Sequence, residues 1–539
     1  MMKRYMIGLC LLAVLPAGAQ DTYEDANLVT GDLNGTARYV GMGGAMDALG
    51  ADLSTISTNP AGIGLYRSSQ VMVSGGLTAQ GGAEDFNGAS KSHANLDQIG
   101  FVWAQRNLSN TFFNVAFNYH KSRDFNYILS ATNRDLYRPS SQNAQSYVKA
   151  IDRRGYDGTT TYAIGEDKRH NLYGDFYWTS QLDDIYYNAF IVSNQGVVGY
   201  NTATGYDMER ASKGYIGEYE INISGNISDR VYLGLTVGLQ DVHYKAYGEY
   251  TDELIDRRGN PVGDVTVCDS RKITGTGYNF KVGAIVRPFE YSAFRVGLSF
   301  TSPTFYDLNS SNFTYLLNNT DYEAWNPNYA SEFSYDFCLN SPMKVALSLG
   351  HTIGDYLALG ATYEYADYGA TDPRVSEGYH DDWYCDDFYS HSLTDKVMKK
   401  HTENTLRGVS TLKLGAEYKP VKDLALRVGY NYVSPMYESD GFKDTFLDSY
   451  GTFVSTTTDY INWGETHRLT LGVGYLAKHF FADLAYQYST QKGDFYPYMD
   501  TEGNYWKGRY DSGGVDNVGT KTKVENNRHQ LIVTLGYKF

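Results

Sequence analysis

Apolar residues recurring at every second position, over fourteen separate stretches, restrict the fold of this 539-residue chain more than any other feature. The last stretch shows the pattern most clearly: Leu531, Val533, Leu535, Tyr537 and Phe539 alternate with Ile532, Thr534, Gly536 and Lys538. A two-residue period puts one set of side chains on a single face of a β-strand, because successive Cβ atoms point to opposite sides. The same spacing occupies 71–77, 99–103, 113–119, 219–223, 231–239, 278–284, 294–300, 345–349, 357–365, 412–418, 424–432, 469–475 and 480–486. Short links such as 107–110, 226–230, 288–292, 353–355 and 419–423 alternate with long polar stretches. Strands joined in this way predict an all-β, antiparallel, fourteen-stranded transmembrane barrel with short turns on one side and long loops on the other.

The opposite parity is the internal check. It carries Lys281, Arg295, Lys344, Glu364, Lys413, Glu417, Arg427, Arg468 and Asp483, which are expected to face the lumen. A basic side chain on the lipid face would cost ~2–4 kcal/mol at mid-membrane, and the apolar parity carries no charge. After the first few residues, no run approaches the ~20 apolar positions of a spanning helix. The 50 Tyr and only 12 Pro suit long strands with aromatic belts at both interfaces.

The two ends read as addresses. Lys3 and Arg4, the apolar run from Met6 to Val14 and the small residues Ala17-Gly18-Ala19 predict a signal peptide over residues 1–19, cleaved before Gln20. The C-terminal strand, with Tyr537 and the terminal Phe539, resembles the signal by which the barrel-assembly machinery recognises its substrates. Together they predict the cell outer membrane of a Gram-negative bacterium. Losing Lys3 and Arg4 moves the net charge from −16 to −18, which argues against nucleic acid as a partner. Cys268, Cys338 and Cys385 are too few for a disulfide framework and show no metal-ligand spacing, although one bridge between loops is possible. No cofactor or metal is expected. Asp381, Asp382, Asp386 and Asp387 lack the regular spacing of a calcium loop and read as solvated surface.

Two regions fall outside the strand pattern. Within the insertion at 121–213, Ala144, Tyr147, Val148 and Ile151 recur at helical spacing, and 182–192 is apolar enough to cover something. The other region, residues 20–67, precedes the barrel at 68–539. It holds the most specific string in the chain, Gly35 to Ala45, followed by Ala51-Asp52 and Asn59-Pro60-Ala61-Gly62. Gly41, Gly43 and Gly44 permit positive φ and close backbone approach, and Asn59 before Pro60 favours a fixed bend. This string resembles the N-terminal plug of the FadL-type family of outer-membrane transporters for hydrophobic compounds. The blocks 277–288, 295–306, 414–420, 427–435 and 481–488 resemble that family in the same order.

The resemblance implies a plug that occludes the lumen and capture of a hydrophobic ligand among the extracellular loops. It also implies exit through the wall, at a kink in the third strand. The stretch Thr111–His120 contains neither Gly nor Pro, so the sequence places no kink there. Phe125, Tyr127, Ile185, Tyr186, Phe190 and Phe305 are candidates for capture. The expected function is passive uptake of fatty-acid-like or aromatic molecules by a monomer surrounded by outer-membrane lipid. Haem capture, with His351 or His391 as ligand, and a surface adhesin are the alternatives. Enzyme chemistry has little support: there is no H-E-x-x-H pair or G-x-S-x-G elbow, and no serine joins His120 or His467. A pre-barrel segment under fifty residues is too short for the folded plug of an energy-coupled receptor.

Overall fold

The computed structural model describes residues 21–108, 111–157, 180–191, 199–322, 329–379, 390–447, 449–501, 505–506, 510–511 and 515–539. The expected signal peptide, Cys385 and the Asp381–Asp387 run lie outside them.

Fourteen antiparallel strands close into a barrel. They are β1 (Gln70–Gly81), β2 (Ser92–Leu108), β3 (Thr111–Asp124, continued by Tyr127–Asn133), β4 (Thr202–Ile227), β5 (Val231–Ile255), β6 (Pro261–Val286) and β7 (Arg295–Thr301, then Phe305–Asn318). The circuit continues through β8 (Ala330–Asn340, then Lys344–Ile353), β9 (Leu357–Asp367, then Asp372–Tyr379) and β10 (Ser390–Thr394, then Gly408–Val421). It ends with β11 (Leu424–Val433), β12 (Tyr460–Ala477), β13 (Phe480–Tyr496) and β14 (Thr522–Lys538). β1 pairs with β14 from Gln70↔Lys538 to Gly81↔Asn527 without a register shift, so the sheet has no free edge along this seam.

The outer surface explains the alternation. Along β5, Leu233, Leu235, Val237 and Leu239 are exposed. Side chains of this kind remain outside only where the surroundings are apolar, so they mark the hydrocarbon layer. Above Leu239 the outward positions of β5 become Asp241, His243 and Lys245, and the strand nevertheless continues to Ile255. The strands β3 to β6 therefore rise well beyond the membrane. The stretch read as an insertion from 121 to 213 begins and ends as strand, and the actual loop lies between Asn133 and Thr202. Outward residues there face water, so the apolar period that reveals a lipid-spanning strand is lost.

Several strands bend near the upper edge of the apolar band, and a repeated Ser-Pro pair accompanies three of these bends. Proline has no N–H to give to a ladder. At Ser302-Pro303, Ser341-Pro342 and Ser434-Pro435 the serine hydroxyl accepts a neighbouring strand's N–H: Phe280 at 2.9 Å, Thr304 at 2.8 Å and Ser410 at 2.9 Å.

Residues 21–66 run inside the barrel as α1 (Thr22–Val29), α2 (Ala37–Gly41) and two 3₁₀ turns, Leu53–Ser57 and Pro60–Leu65. Their contacts are with inward-facing strand residues. The Ala37 N–H donates to Thr534 Oγ1 at 2.7 Å, and Asn114 Nδ2 donates to the Ile63 carbonyl at 2.7 Å. Gly43 and Gly44 have φ of 62° and 80°. Gly41 is helical instead, and its place is fixed by close approach to Gly472. Asn59 caps the second 3₁₀ turn, accepting from the Ala61 N–H at 3.2 Å, and Pro60 opens that turn.

The mouth is covered by further helices. α3 (Gln142–Asp157) has the predicted helical spacing, and α4 (Gln181–Tyr186) begins at a capping box between Ser180 and Asp183. Lys149 of α3 reaches Asp183 at 2.5 Å, tying the two together. α5 (Lys396–Thr405) and α6 (Tyr450–Phe453) complete the cover. Cys268 and Cys338 are both free thiols.

Candidate functional site

The nine charges expected to face the lumen lie on inward positions, and the lower ones form a satisfied network around the N-terminal segment. Arg427 donates to Glu417 at 2.7 Å and to Asp483 at 2.5 Å, and Arg38 of α2 reaches the same Glu417 at 3.1 Å. Lys413 meets Glu364 at 3.0 Å. Lys281 bridges Glu218 and Glu220 at 2.7 and 2.6 Å, and Ser57 of the N-terminal segment donates to Glu220 at 2.7 Å. Charges taken from water are tolerated here because each has a close opposite partner.

Above this network lies a cavity of about 320 Å³. Its walls combine Tyr23 and Ala26 of α1 with Phe125, Tyr127, Leu129, Met208, Tyr244, Tyr437, Ile461 and Trp463. The floor is cationic. Arg123 meets Asp32 at 3.3 Å, and Arg528 stands 3.8 Å from Asp32 and 3.5 Å from Asp124. Arg468 donates to the neutral Asn431 Oδ1 at 2.9 Å. A polar cavity of about 230 Å³ continues below, sharing Asp32 and Arg468 with the upper one.

Beside the upper cavity the wall opens. β2 and β3 pair from Leu108↔Thr111 up to Gln98↔His120 and no further. Beyond that point β2 stays on β1, from Leu96↔Gly75 to Ser92↔Ala79, while β3 stays on β4 through a bulge at Ser122. The parting begins level with Leu96, the uppermost exposed large apolar residue of β2. The backbone groups that β3 loses as ladder partners are met from elsewhere. The Lys121 carbonyl accepts from Asn34 Nδ2 at 3.0 Å, the Ser122 carbonyl accepts from the Asp32 N–H at 2.9 Å, and the Asp124 N–H donates to Asp32 Oδ2 at 2.9 Å. Farther up, the Gln80 side chain makes both bonds of a strand partner with Ile128, at 2.7 and 2.8 Å. Side chains of His93 and Asp124 cross the parting at 2.9 Å, and Lys121 also reaches Asn95. A further cavity of about 210 Å³ lies at the parting, under residues 89–93, and shares Tyr127 and Arg528 with the main one.

The six residues expected to form a capture site separate into three groups. Phe125 and Tyr127 line the upper cavity. Ile185, Tyr186 and Phe190 are buried in another core, packed on Leu254, Val265 and Leu316 of the strand extensions. Phe305 pairs with the outward Tyr278, its ring 5.3 Å away, while its neighbour Tyr306 turns inward and lines the lower cavity. A one-residue difference in parity reverses the face. The sequence reading did not single out Tyr23, Asp32, Asn34 or Trp463. The first three lie on a segment without strand periodicity, and only their contacts with distant strands reveal them. His351 lies against Phe294 near a short turn, with ring centroids 6.3 Å apart, and lines none of the three cavities. The side chain of His391 falls outside the described residues.

No family model matches the chain, and no curated protein matches it. Among solved structures it is similar to the Ralstonia pickettii toluene transporter TbuX at 12% identity and a TM-score of 0.48, over 94% of this chain and 99% of that one. The Pseudomonas putida toluene transporter TodX matches at 12% identity and a TM-score of 0.45, over 95% and 100% of the two chains. A Pseudomonas aeruginosa FadL homologue matches at 12% identity and 0.46, over 98% and 100%.

Proposed function

We propose that this outer-membrane barrel takes up hydrophobic and amphipathic small molecules by passive, gated diffusion. The upper cavity is the capture site, residues 21–67 are a movable plug, and the β2–β3 parting is the exit. One observation supports this reading best: Asp32 and Asn34 of the lumenal segment supply the hydrogen bonds that β2 denies to β3. Moving that segment leaves three backbone groups of β3 without partners, each a penalty of about 1–3 kcal/mol where water is excluded. Plug position and wall integrity are thereby coupled.

The cavity volume falls in the ordinary range for small-molecule sites. An apolar or aromatic body would lie on Phe125, Tyr127, Met208 and Trp463, and a polar end would reach Arg468. From there the route to the membrane passes Tyr127 and Arg528. At the end of the last strand, Tyr537 stacks on the terminal Phe539 with ring centroids 6.1 Å apart, the pair we assign to recognition by the assembly machinery.

The test combines two measurements on wild type and a Phe125→Asp, Tyr127→Asp variant. Compounds retained after mild detergent purification are identified by mass spectrometry, and uptake of a labelled aromatic hydrocarbon and a labelled long-chain carboxylate is followed in intact cells. Apolar compounds on the wild type, lost together with uptake in the variant, are expected. Bulk detergent and phospholipid alone, with uptake no faster than in cells lacking the protein, would sink the reading.

A further inference from the structure

On the outer face of the barrel, three lysines stand in a row across three neighbouring strands. Lys213 of β4 is the register partner of Lys245 of β5, and Lys245 is the partner of Lys272 of β6. All three have the outward parity of their strands, and Lys245 and Lys272 are exposed. At the ~4.8 Å spacing of neighbouring strands the row is about 10 Å wide. Like charges directly opposite one another weaken a sheet, so such a row is maintained against local stability.

The row is also unneutralised. Among the described residues none of the three takes part in an ion pair, and the one contact of the group is a hydrogen bond from Lys213 to the Gly88 carbonyl at 2.7 Å. The nearest outward acids along β5, Asp241 and Glu249, each stand four residues from Lys245 and are engaged elsewhere, Asp241 by His243 at 2.9 Å and Glu249 by the Tyr247 hydroxyl at 2.6 Å. Other cations on the upper wall are matched: Lys521 to Asp494 at 2.9 Å, Lys492 to Glu525 at 3.6 Å, and Arg134 to Asp207 and Glu253. In a chain with 62 acidic and 46 basic residues, three adjacent lysines without a carboxylate are a local exception.

Height selects the partner. Six residues separate Leu239, the last exposed apolar residue of β5, from Lys245. At ~3.4 Å per residue and a strand tilt of roughly 40°, the row lies about 15 Å outside the hydrocarbon boundary. The head-group layer of a simple phospholipid bilayer is only about 5–8 Å deep. A phosphodiester at that depth passes beneath the row, whereas a lipid with an extended, phosphorylated saccharide head reaches it. The position on the outward face, directly above the lipid-facing Leu233–Leu239 file, puts the ligand's acyl chains in the bilayer alongside the same strands.

We propose that Lys213, Lys245 and Lys272 form a docking site for the phosphorylated saccharide head of an outer-leaflet glycolipid, which seats the β4–β6 face in its membrane. The site lies on the outer wall, outside the lumen, although Lys213 also lines the cavity at the β2–β3 parting.

The test uses the purified full-length barrel in mild detergent, with mobility shift and native mass spectrometry as readouts. The probes are a short-core lipopolysaccharide, phosphatidylglycerol and inorganic phosphate. Wild type should bind the lipopolysaccharide, with an affinity that falls as salt rises. A Lys213→Ala, Lys245→Ala, Lys272→Ala variant should bind roughly a hundredfold more weakly, at about fivefold for each lysine near an anionic surface. Replacing the same three with arginine should restore binding, and Lys492→Ala should leave it unchanged. Heat-modifiable migration shows that each variant is a folded barrel. Equal binding by the alanine variant, equal binding of phosphatidylglycerol, or displacement by millimolar phosphate would each overturn the proposal.

Discussion

Two seams of the barrel, β14–β1 and β2–β3, are built from similar outward residues and end differently. The first pairs without interruption over the whole length of β1, from Gln70↔Lys538 to Gly81↔Asn527. The second stops at Gln98↔His120 although both strands continue above it. Outward side chains do not explain the difference, since Leu77 and Leu535 on one seam and Leu96 and Phe101 on the other are all exposed apolar residues. What differs is the inside. At the closed seam the lumenal segment touches the wall through side chains, such as Thr534 accepting from the Ala37 N–H. At the open one it touches the edge of the sheet itself, through Asp32 and Asn34. At the open seam an internal segment, rather than a neighbouring strand, satisfies the backbone.

The sharpest way to break that comparison is to fix the open seam covalently. In a chain whose own cysteines are replaced by serine, Asn95→Cys and Lys121→Cys joined by a short bifunctional thiol reagent should abolish uptake, and cleaving the reagent should restore it. The same pair left uncoupled should transport as wild type does. Unimpaired flux through the joined protein would show that the exit lies elsewhere.

The next effect is on the satisfied part of the lumen. Arg427→Met leaves Glu417 and Asp483 buried with one fewer cation, and removing one partner of a buried pair costs about 3–5 kcal/mol. Urea or guanidinium unfolding in lipid vesicles should show a loss of that size. Arg468→Met, whose guanidinium among the described residues hydrogen-bonds only Asn431, should lose much less while weakening binding of a carboxylate ligand. Equal losses would remove the distinction between a structural lower lumen and an open upper one.

How far the sequence revealed these seams depends on what each is made of. The lipid-facing side chains repeat every second residue because the hydrocarbon requires it, so all fourteen strands, the short turns and the inward charges could be read from the residues. The parting between β2 and β3 has no such marker. Thr111–His120 contains no Gly or Pro, and the strand does run straight there; the departure comes at Lys121–Asp124, through a bulge held by Asp32 and Asn34, with Gln80 bonding Ile128 above it. Those partners lie from about forty to ninety residues away in the chain, at a distance no local pattern encodes. Phe305 shows a different limit: Pro303 bends β7 beside it, so the inward parity passes to Tyr306, which lines the lower cavity. Likewise Ile185, Tyr186 and Phe190 are apolar because they close a core, and composition alone does not separate a core from a pocket.

A smaller effect comes from α1, which forms part of the upper cavity wall. Asp25 is fully buried and neither carboxylate oxygen has a hydrogen-bond partner. Burial first, and then the neighbouring Asp21 and Glu24, push its carboxyl well above the usual carboxylate range. Below pH 3.8 the group is protonated in both the docked and the released segment, so docking is unopposed. As pH rises, the released segment ionises while the docked one keeps its proton, and docking weakens by about 1.4 kcal/mol per pH unit until the folded value is reached. Hydrogen exchange of the α1 amides, corrected for intrinsic rates, should therefore quicken in wild type as pH rises above 3.8. Asp25→Asn, which cannot ionise, should remove the dependence; a persistent slope would assign it to another group.

The smallest expected effect is at the bends that the closed part of the wall tolerates without opening. Ser302 lets β7 bend at Pro303 and still stay on β6, because its hydroxyl accepts the Phe280 N–H. Phe280 points its ring to lipid and is 46% exposed, so water is scarce around that amide. Ser302→Ala should cost about 1 kcal/mol, the value of one net hydrogen bond, rising toward the full desolvation penalty if no water enters. Ser434→Ala removes the equivalent bond to Ser410; Ser434 borders the roomy upper cavity, where water can replace the bond, so the change should cost less. The two unfolding midpoints, measured in the same vesicles, should fall in that order. The reverse order would mean that hydration of the lumen does not decide which bends a wall can carry, and the β2–β3 parting would then need a cause other than the polar segment beside it.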